Sequence, residues 1–269
     1  MSREPAVAGT FYPADPQSLR RDLENLTEGK RPPSKPQGVA LIVPHAGYMY
    51  SGPIAAATFT ATHLARRIII LGPNHTGTGE PIAVMERGSW RTPLGEAHLD
   101  TELANEVLTS CRAARVDESA HLREHSLEVQ LPFLQFLLGE FRFLPICVGT
   151  SRLDALMDLG AAIARVLKRS REPVLLVLSS DMSHYLPATV ARGEDEQALA
   201  PILAIDPEGL HRVVTERRIT MCGMAPAVAG LAAARLVGAT AARLVAYDHS
   251  GTRSGDHESV VGYAGVAIT

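Results

Sequence analysis

The chain has 269 residues, of which 46% are hydrophobic and 20% are charged, and its formal net charge is −3. This composition is typical of a globular protein with a full core, and the small acidic excess argues against a nucleic-acid-binding surface. No apolar run reaches the roughly 18 residues of a membrane-spanning helix, and the N-terminus lacks a secretory signal pattern. We therefore expect no membrane binding. The three cysteines have no CxxC spacing, and such a sparse set is typical of a cytoplasmic protein.

The chain alternates predicted strands and helices from beginning to end. The predicted strands cover 39–43, 67–71, 82–85, 141–148, 174–179, 242–246 and 260–267. The predicted helices cover 17–26, 52–64, 101–110, 126–138, 152–168, 191–203, 207–216 and 225–236, whereas 87–98 and 186–193 are predicted to be irregular. This alternation predicts an α/β fold with a mainly parallel sheet. The linker-like stretch 29–38 is interpreted as a surface loop, so we predict a single domain over 1–269.

Two predicted strands end in turns that are rich in Pro and Gly and carry a histidine. Leu-Ile-Val-Pro precedes His45, and Ile-Leu-Gly-Pro-Asn precedes His75. The carboxyl ends of neighbouring parallel strands form one rim, where ligands bind. We therefore expect the two imidazoles to share a metal ion. Taken alone, each histidine is also compatible with a backbone hydrogen bond or a surface loop.

The next polar cluster, Glu124 and His125, stands at the start of the helix predicted over 126–138. Helix N-termini favour acidic side chains and bind anions. One interpretation is a helix cap, with Glu128 and Gln130 in solvent. The other places Glu124 and His125 at the rim, as groups that support the ligands or bind substrate.

A third histidine follows the apolar strand predicted over 174–179, in the sequence Ser-Ser-Asp181-Met-Ser-His184. An aspartate three residues before a histidine can orient the imidazole and fix its tautomer, or it can cap a helix. Because this is the third histidine that follows a strand, we favour the functional interpretation.

Three residues in the last quarter of the chain have alternative interpretations. Cys222 precedes a glycine at the start of a predicted helix, a position that lowers a thiol pKa, but on spacing alone an ordinary buried cysteine is favoured. His249 and His257 lie in the polar loop 247–263. They are interpreted as extra metal ligands or as part of a charged hairpin tip, and the hairpin tip is favoured.

Several familiar catalytic signatures do not occur in the sequence: HExxH, GxSxG, GxGxxG and the P-loop. Their absence argues against a zincin protease, an α/β-hydrolase, a Rossmann dehydrogenase and a P-loop nucleotidase.

The ordered motifs resemble the Memo family, whose bacterial and archaeal members are often called AmmeMemoRadiSam system protein B. The resemblance rests on Val-Pro-His-Ala-Gly-Tyr, Leu-Gly-Pro-Asn-His, Glu-His-Ser-Leu-Glu-Val-Gln-Leu-Pro-Phe-Leu, Ser-Ser-Asp-Met-Ser-His-Tyr and Met-Cys-Gly, and on both ends of the chain. That family is similar in fold to the class III extradiol ring-cleaving dioxygenases. The resemblance thus implies an αβα sandwich with a mainly parallel central sheet.

The resemblance also implies a metal site formed by His45, His75 and Cys222. The dioxygenases use two histidines and a carboxylate, a set suited to Fe(II) and O₂. Here the matching third position is a cysteine, which is a softer ligand. Fe(II) is the expected metal, and Cu and Zn are the alternatives.

The same resemblance assigns catalytic and substrate-binding residues. His184 corresponds to the acid/base histidine of the dioxygenases, with Asp181 beside it. Tyr48, Glu124 and His125 are expected to line the substrate pocket. The implied reaction is an O₂-dependent oxidation of a small organic molecule, and the implied pathway partner is a radical SAM protein. The alternatives are a peptide- or protein-binding module without catalysis and a hydrolase that uses zinc-bound water.

Overall fold

A computed structural model of the chain describes residues 2–35 and 37–269. In this part of the chain twelve strands form a central sheet. They are β1 (Ser2–Arg3), β2 (Ala40–Val43), β3 (Arg67–Pro73), β4 (Ile82–Val84), β5 (Ser89–Thr92), β6 (Gly95–Leu99), β7 (Arg115–Val116), β8 (Arg142–Val148), β9 (Val174–Ser179), β10 (His184–Leu186), β11 (Ala242–His249) and β12 (Val260–Ile268).

The middle of the sheet is parallel, in the order β6-β8-β3-β9-β2. Antiparallel pairs lie toward its two ends: β12 pairs with β2, β10 and β11, while β4 pairs with β8 and β5 with β6. The mainly parallel sheet predicted from the sequence is confirmed. However, β9 separates β2 from β3, so the two strands that precede His45 and His75 are not direct neighbours.

Helices cover both faces of the sheet. The helices are α1 (Pro16–Thr27), α2 (Tyr48–Phe59), α3 (Thr101–Ser110), α4 (Leu131–Leu138), α5 (Leu153–Arg169), α6 (Ala188–Leu203), α7 (Pro207–Arg217), α8 (Met224–Leu236) and the short α9 (Gly251–Ser254). Side chains of α1, α2 and α4 form one buried core, and those of α3, α5, α6, α7 and α8 form the other. The expected αβα sandwich is confirmed. No helix in the described ranges is long and apolar enough to span a membrane.

Strand β3 shows why the central strands are apolar throughout. Successive side chains of a strand point to opposite faces. Ile68 and Ile70 therefore belong to one buried core, and Ile69 and Leu71 belong to the other. A strand covered by helices on both faces has no solvent-facing positions, which explains its continuous apolar sequence.

The first residues of the chain pack against the segment that carries Glu124 and His125. The guanidinium of Arg3 donates to the carbonyl oxygens of His121 and Glu124, at 2.6 and 2.9 Å, and forms a 2.6 Å ion pair with Glu128. Both side chains of this pair are buried. The buried ion pair ties the N-terminus to the edge of the sheet where the candidate site lies.

Several local predictions are corrected by the structure. The segment 87–98, predicted to be irregular, contains the hairpin of β5 and β6. The helix predicted over 52–64 lies at 48–59, and α6 begins at 188, inside the predicted irregular segment 186–193. The helix predicted over 126–138 covers 131–138 and follows a single 3₁₀ turn at 128–130. Glu124 and His125 therefore lie in an irregular segment between two turns and do not begin an α-helix.

Candidate metal centre

The candidate site is a cleft of about 470 Å³ at the carboxyl ends of β2, β3 and β9. His45 lies two residues beyond β2, and His75 lies two residues beyond β3. The end of the intervening strand β9 leads to Asp181, which also lines the cleft. A larger cavity of about 650 Å³ lies beside Arg66 and Arg142, at the amino ends of β3 and β8 and away from these histidines.

Three imidazoles converge in this cleft. His45, His75 and His125 each offer one nitrogen, and these nitrogens lie within 4.8 Å of one another. The rings of His75 and His125 are stacked with centroids 4.6 Å apart, and the His45 ring approaches both of them edge-on. Metal ions accept imidazole nitrogens as ligands, so this cluster could hold one ion.

Hydrogen bonds fix the tautomer of His45. Its Nδ1 lies 2.9 Å from Oγ of Ser179, and that hydroxyl donates its proton to the carbonyl of Ser126 at 2.6 Å. The amide of Gln130 donates to the same hydroxyl, at 2.9 Å. Since the only Ser179 proton is already used, Nδ1 of His45 must be the donor in their contact. The neutral imidazole then carries its lone pair on Nε2, 3.2 Å from Sγ of Cys222, and this is the form in which histidine binds metals.

Glu124 fixes the tautomer of His75 in the same way. One carboxylate oxygen accepts from Nδ1 of His75 at 2.9 Å and from the backbone N–H of Ser126 at 2.9 Å. The other oxygen accepts from the backbone N–H of His75 at 2.6 Å. Protonated on Nδ1, a neutral His75 also presents a free lone pair on Nε2. A carboxylate behind a ligating histidine is a common arrangement in metal sites.

The charge states of these groups suit metal binding. Burial opposes ionisation of Glu124, but the hydrogen bonds from His75 and Ser126 outweigh it and lower the carboxyl pKa to about 2. Burial lowers the pKa of His45 well below its usual value, and it also lowers the pKa of His125. Both rings are therefore neutral near pH 7, when their nitrogens can act as ligands.

Cys222 lies beside the cluster. Its Sγ is 3.2 Å from Nε2 of His45, and the backbone N–H of Asp181 donates to it at 3.3 Å. Gly223 lets this loop lie against Ser180, because a Cβ at position 223 would collide with it. Burial raises the pKa of the Cys222 thiol, and the nearby charge of Asp181 adds to the effect, which agrees with the buried cysteine that the sequence favours.

Asp181 and His184 line the same cleft but do not bond to each other in the described structure. Asp181 accepts the backbone N–H of His45 at 2.7 Å, and burial raises the pKa of its carboxyl. Nδ1 of His184 lies 2.9 Å from the carbonyl of Thr220, which can only accept, so Nδ1 carries the proton. The expectation that Asp181 orients His184 is thus corrected, because Thr220 is the partner of that ring.

The remaining predicted site residues occupy different positions. Glu124 is fully buried behind His75, as a supporting group would be. Tyr48 is buried away from the cleft, where it packs on Tyr12 and Phe133 and its hydroxyl donates to the carbonyl of Val129. The placement of Tyr48 in the pocket lining is therefore corrected.

The 3₁₀ turn at 128–130 is buried as well. Glu128 accepts from Arg3 and Tyr12, and Gln130 donates to the carbonyl of Pro44. Both side chains are buried, so the solvated positions that the helix-cap interpretation requires are not observed.

Sequence reasoning missed four residues that shape the site. Ser179 orients His45, and Thr220 orients His184. Phe11 reaches the cleft from the N-terminal segment and packs on His125, with ring centroids 4.8 Å apart. Tyr185 lines the mouth of the cleft, with 78% of its surface exposed. A serine at the end of a strand carries no distinctive pattern, and the contacts of Thr220 and Phe11 join segments that are distant in sequence. Tyr185 directly follows His184, and this position is the signal that could have identified it.

The αβα fold and the convergent imidazoles define a protein with a candidate metal centre at the carboxyl ends of a parallel sheet. The chain belongs to the Memo family, because the family model described as Memo-like protein matches residues 3–267. A MEMO1 family protein from Aquifex aeolicus is 44% identical over 265 residues, which are 98% of each chain. A MEMO1 family protein from Methanopyrus kandleri is 40% identical over 282 residues, covering 100% of this chain and 99% of the relative.

A solved structure supports the fold independently. The crystal structure of an uncharacterized protein from Escherichia coli K12 is similar to this chain, with a TM-score of 0.53 and 15% sequence identity. The similarity covers 87% of this chain and 100% of that one. At this level of identity the match establishes a common fold.

Proposed function

We propose that the protein is a non-haem metal-dependent oxidoreductase that uses O₂ to oxidise a small organic molecule, with Fe(II) as its metal. The observation that carries this proposal is the convergence of three imidazole nitrogens beside a fourth histidine, His184, which is held by a separate partner. The ligand histidines and a proton-transfer group are thus present in one cleft. The resemblance to the extradiol dioxygenases supports the redox chemistry.

The residues fit a metal ion of this kind. His45 and His75 each have Nδ1 engaged by a hydrogen bond, so the lone pair that a metal ion would use is on Nε2. The third ligand is Cys222, as the family resemblance implies, or His125, whose nitrogen completes the geometric group. Imidazole suits iron, copper and zinc, and a thiolate favours softer metals. When bound, Fe(II) supplies O₂ activation and a point of attachment for substrate.

His184 is the proposed general acid/base. Its Nδ1–H donates to Thr220, so the neutral ring accepts a substrate proton at Nε2 and later returns it. Asp181 has a different role from the one expected. By accepting the N–H of His45 it holds the turn that carries a metal ligand, and it also places a carboxylate in the cleft.

The cleft suits a small, partly apolar substrate. Its volume of about 470 Å³ lies within the usual range for small-molecule sites, roughly 300–1,000 Å³. Phe11 and Tyr185 contribute aromatic surface to its lining, which favours a substrate with a planar ring. We place this substrate in a modification pathway with a radical SAM protein, as the resemblance implies.

Oxygen uptake by the iron-loaded protein tests this proposal. Anaerobically reconstituted protein is mixed with a panel of catechol-like compounds in an oxygen electrode, alongside the zinc-loaded protein and iron-loaded His184→Gln. We expect uptake with iron, none with zinc, and a rate lower by about 10²–10⁴-fold in the variant. An absence of uptake with every compound would count against the oxidase, and an equal rate in His184→Gln would exclude the acid/base role.

His125 favours a second candidate function, a zinc-dependent hydrolase. Three histidines with an open fourth position form a common catalytic zinc site, in which the bound water ionises near pH 7. His125 supplies the third nitrogen of such a set. Hydrolysis of p-nitrophenyl acetate by the zinc-loaded protein, lost in His125→Ala, would favour this function over the oxidase.

A further inference from the structure

A second pair of histidines lies outside the cleft, in the connection between β11 and β12. His249 is the last residue of β11, and His257 precedes β12 by three residues. Their rings are nearly perpendicular, with centroids 5.4 Å apart. Neither histidine lines the cleft that contains His45, so the proposed reaction assigns them no role.

The Nδ1 atom of His249 is buried and unpaired. It is shielded from solvent and has no hydrogen-bond partner within residues 2–35 and 37–269. Buried polar atoms in folded proteins nearly always have a partner, and an exception calls for a bound ion or water. A ring nitrogen left in this state is a free ligand atom.

Gly251 keeps a small space open between the two histidines. A Cβ built on Gly251 would lie 3.0 Å from Nδ1 of His249 and 3.0 Å from Nδ1 of His257. It would also lie 2.5 Å from the carbonyl oxygen of Asp256. Two imidazole nitrogens and one carbonyl oxygen thus surround a space that any larger residue at position 251 would fill.

We propose that His249 and His257, together with the carbonyl oxygen of Asp256, bind a divalent transition-metal ion of the zinc type. Two neutral imidazoles and an oxygen suit Zn²⁺, Ni²⁺ or Cu²⁺, and water completes the coordination at this exposed edge. The site is distinct from the cluster of His45, His75 and His125, since it draws on none of those ligands. Its lack of a carboxylate or thiolate ligand predicts moderate affinity.

By joining His249 to His257, the bound ion would hold the two ends of the loop 250–259 together. This loop is anchored on its other side by a hydrogen bond from the backbone N–H of Ala188 to the carbonyl of His257, at 2.9 Å. The strand that follows, β12, pairs through Val261 with His184, and Val261 also lines the cleft. An ion bound by His249 and His257 would therefore fix the loop next to β12, the strand that pairs with β10 and its proposed acid/base residue His184.

Zinc titration tests the proposal. Isothermal titration with Zn²⁺ is performed on the full chain carrying His45→Ala and His75→Ala, which removes two ligands of the cleft. We expect one Zn²⁺ per chain to bind, and we expect His257→Ala in this background to weaken binding by at least about tenfold. The matched control is His98→Ala, because His98 is also exposed and lies on β6. It should leave binding unchanged.

A second variant blocks the site without removing a ligand. Gly251→Ala places a methyl group between the two imidazoles and should abolish the same binding event. If the chain carrying His45→Ala and His75→Ala does not fold, the titration is run on the wild-type chain. The Zn²⁺-binding event that is lost in His257→Ala is then the one assigned to this site. Zn²⁺ binding that is equal in His257→Ala, Gly251→Ala and the parent would overturn the proposal.

Cleavage by trypsin provides a second measurement that does not rely on the heat of binding. Arg253 is exposed inside the loop, so cleavage after it reports whether the loop is ordered. We expect Zn²⁺ to slow this cleavage, EDTA to restore it, and His257→Ala to remove the protection. A cleavage rate that Zn²⁺ leaves unchanged would show that no ion holds the loop. The partner of the buried Nδ1 of His249 would then be a water molecule.

Discussion

Glu124→Gln tests whether the Glu124 side chain supports the metal ligand His75 or only fills space in the core. The substitution keeps the size of the buried side chain but changes one oxygen into an NH₂ group. With its remaining oxygen facing Nδ1 of His75 and the N–H of Ser126, the glutamine keeps two of three hydrogen bonds. Its NH₂ group then faces the backbone N–H of His75, at the position where the carboxylate oxygen accepted at 2.6 Å. Two donors meet there, inside a buried site.

The size of the expected loss of stability follows from the hydrogen bonds of the carboxylate, and the lowered pKa that they cause is of the same order. Hydrogen bonds to a charged group contribute about 1.5–3 kcal/mol, and an unsatisfied buried donor adds to the loss. The pKa of Glu124 is lowered from its usual 4.5 to about 2, which corresponds to about 3 kcal/mol at 1.36 kcal/mol per pKa unit. We expect Glu124→Gln to lower the free energy of unfolding by about 3 kcal/mol at pH 7, and metal affinity to fall by about 10–100-fold.

The same shift determines the pH dependence. The folded pKa of Glu124 lies below the unfolded one, so its contribution is fully present above about pH 4.5 and is lost as the pH falls toward about 2. Glutamine does not titrate, and the advantage of the wild type should therefore shrink across this window. Urea unfolding between pH 3 and 7, together with metal titration at pH 7, measures both effects.

The matched control is Glu102→Gln. Glu102 is an exposed carboxylate 2.9 Å from Arg67, and such pairs contribute less than about 1 kcal/mol. It should leave metal affinity unchanged. Our reasoning would be refuted if Glu124→Gln unfolded at the wild-type urea concentration and bound metal as tightly as the wild type.

Three further substitutions have expected outcomes. Ser179→Ala removes the acceptor that fixes His45, and metal titration should show an affinity about tenfold lower, whereas an unchanged affinity would refute the tautomer argument. Arg3→Met leaves Glu128 charged and buried without its cation, so urea unfolding should show a loss of about 3–5 kcal/mol, and a loss below about 1 kcal/mol would contradict it. His184→Gln should retain the full metal content by elemental analysis, since a loss of metal would make His184 a ligand.

The core of the fold follows from local sequence. Strand β9 has the predicted bounds, 174–179, because its apolar side chains need a cover on both faces. Helix α3 also has its predicted bounds, since Asp100 caps it by accepting from the N–H of Leu103 at 3.1 Å. The β5–β6 hairpin was missed because its turn, Pro93-Leu94, lacks the Asn-Gly or Asp-Gly pair that marks short hairpins.

The site was less accessible to sequence reasoning than the fold. His45 and His75 could be located because each lies two residues beyond an apolar strand. The contact between His45 and Ser179 joins residues 134 positions apart, which no local pattern encodes. The sequence predicts that His125 opens a helix, whereas the structure places it in an irregular segment where its ring stacks on His75. The expected place of Tyr48 in the pocket lining is wrong because α2 begins at this residue and its ring packs on Tyr12 and Phe133 in the core.

The metal content of the purified protein tests the central claim most directly. The wild-type chain and the His45→Ala/His75→Ala double variant are purified anaerobically and measured by elemental analysis. We predict nearly one iron or copper ion per wild-type chain at the cleft and its loss from the double variant. A wild type that contains no iron or copper, and that takes up no more Fe(II), Cu or Zn on reconstitution than the double variant does, would contradict the metal centre and leave the cleft as a binding site for peptides or proteins.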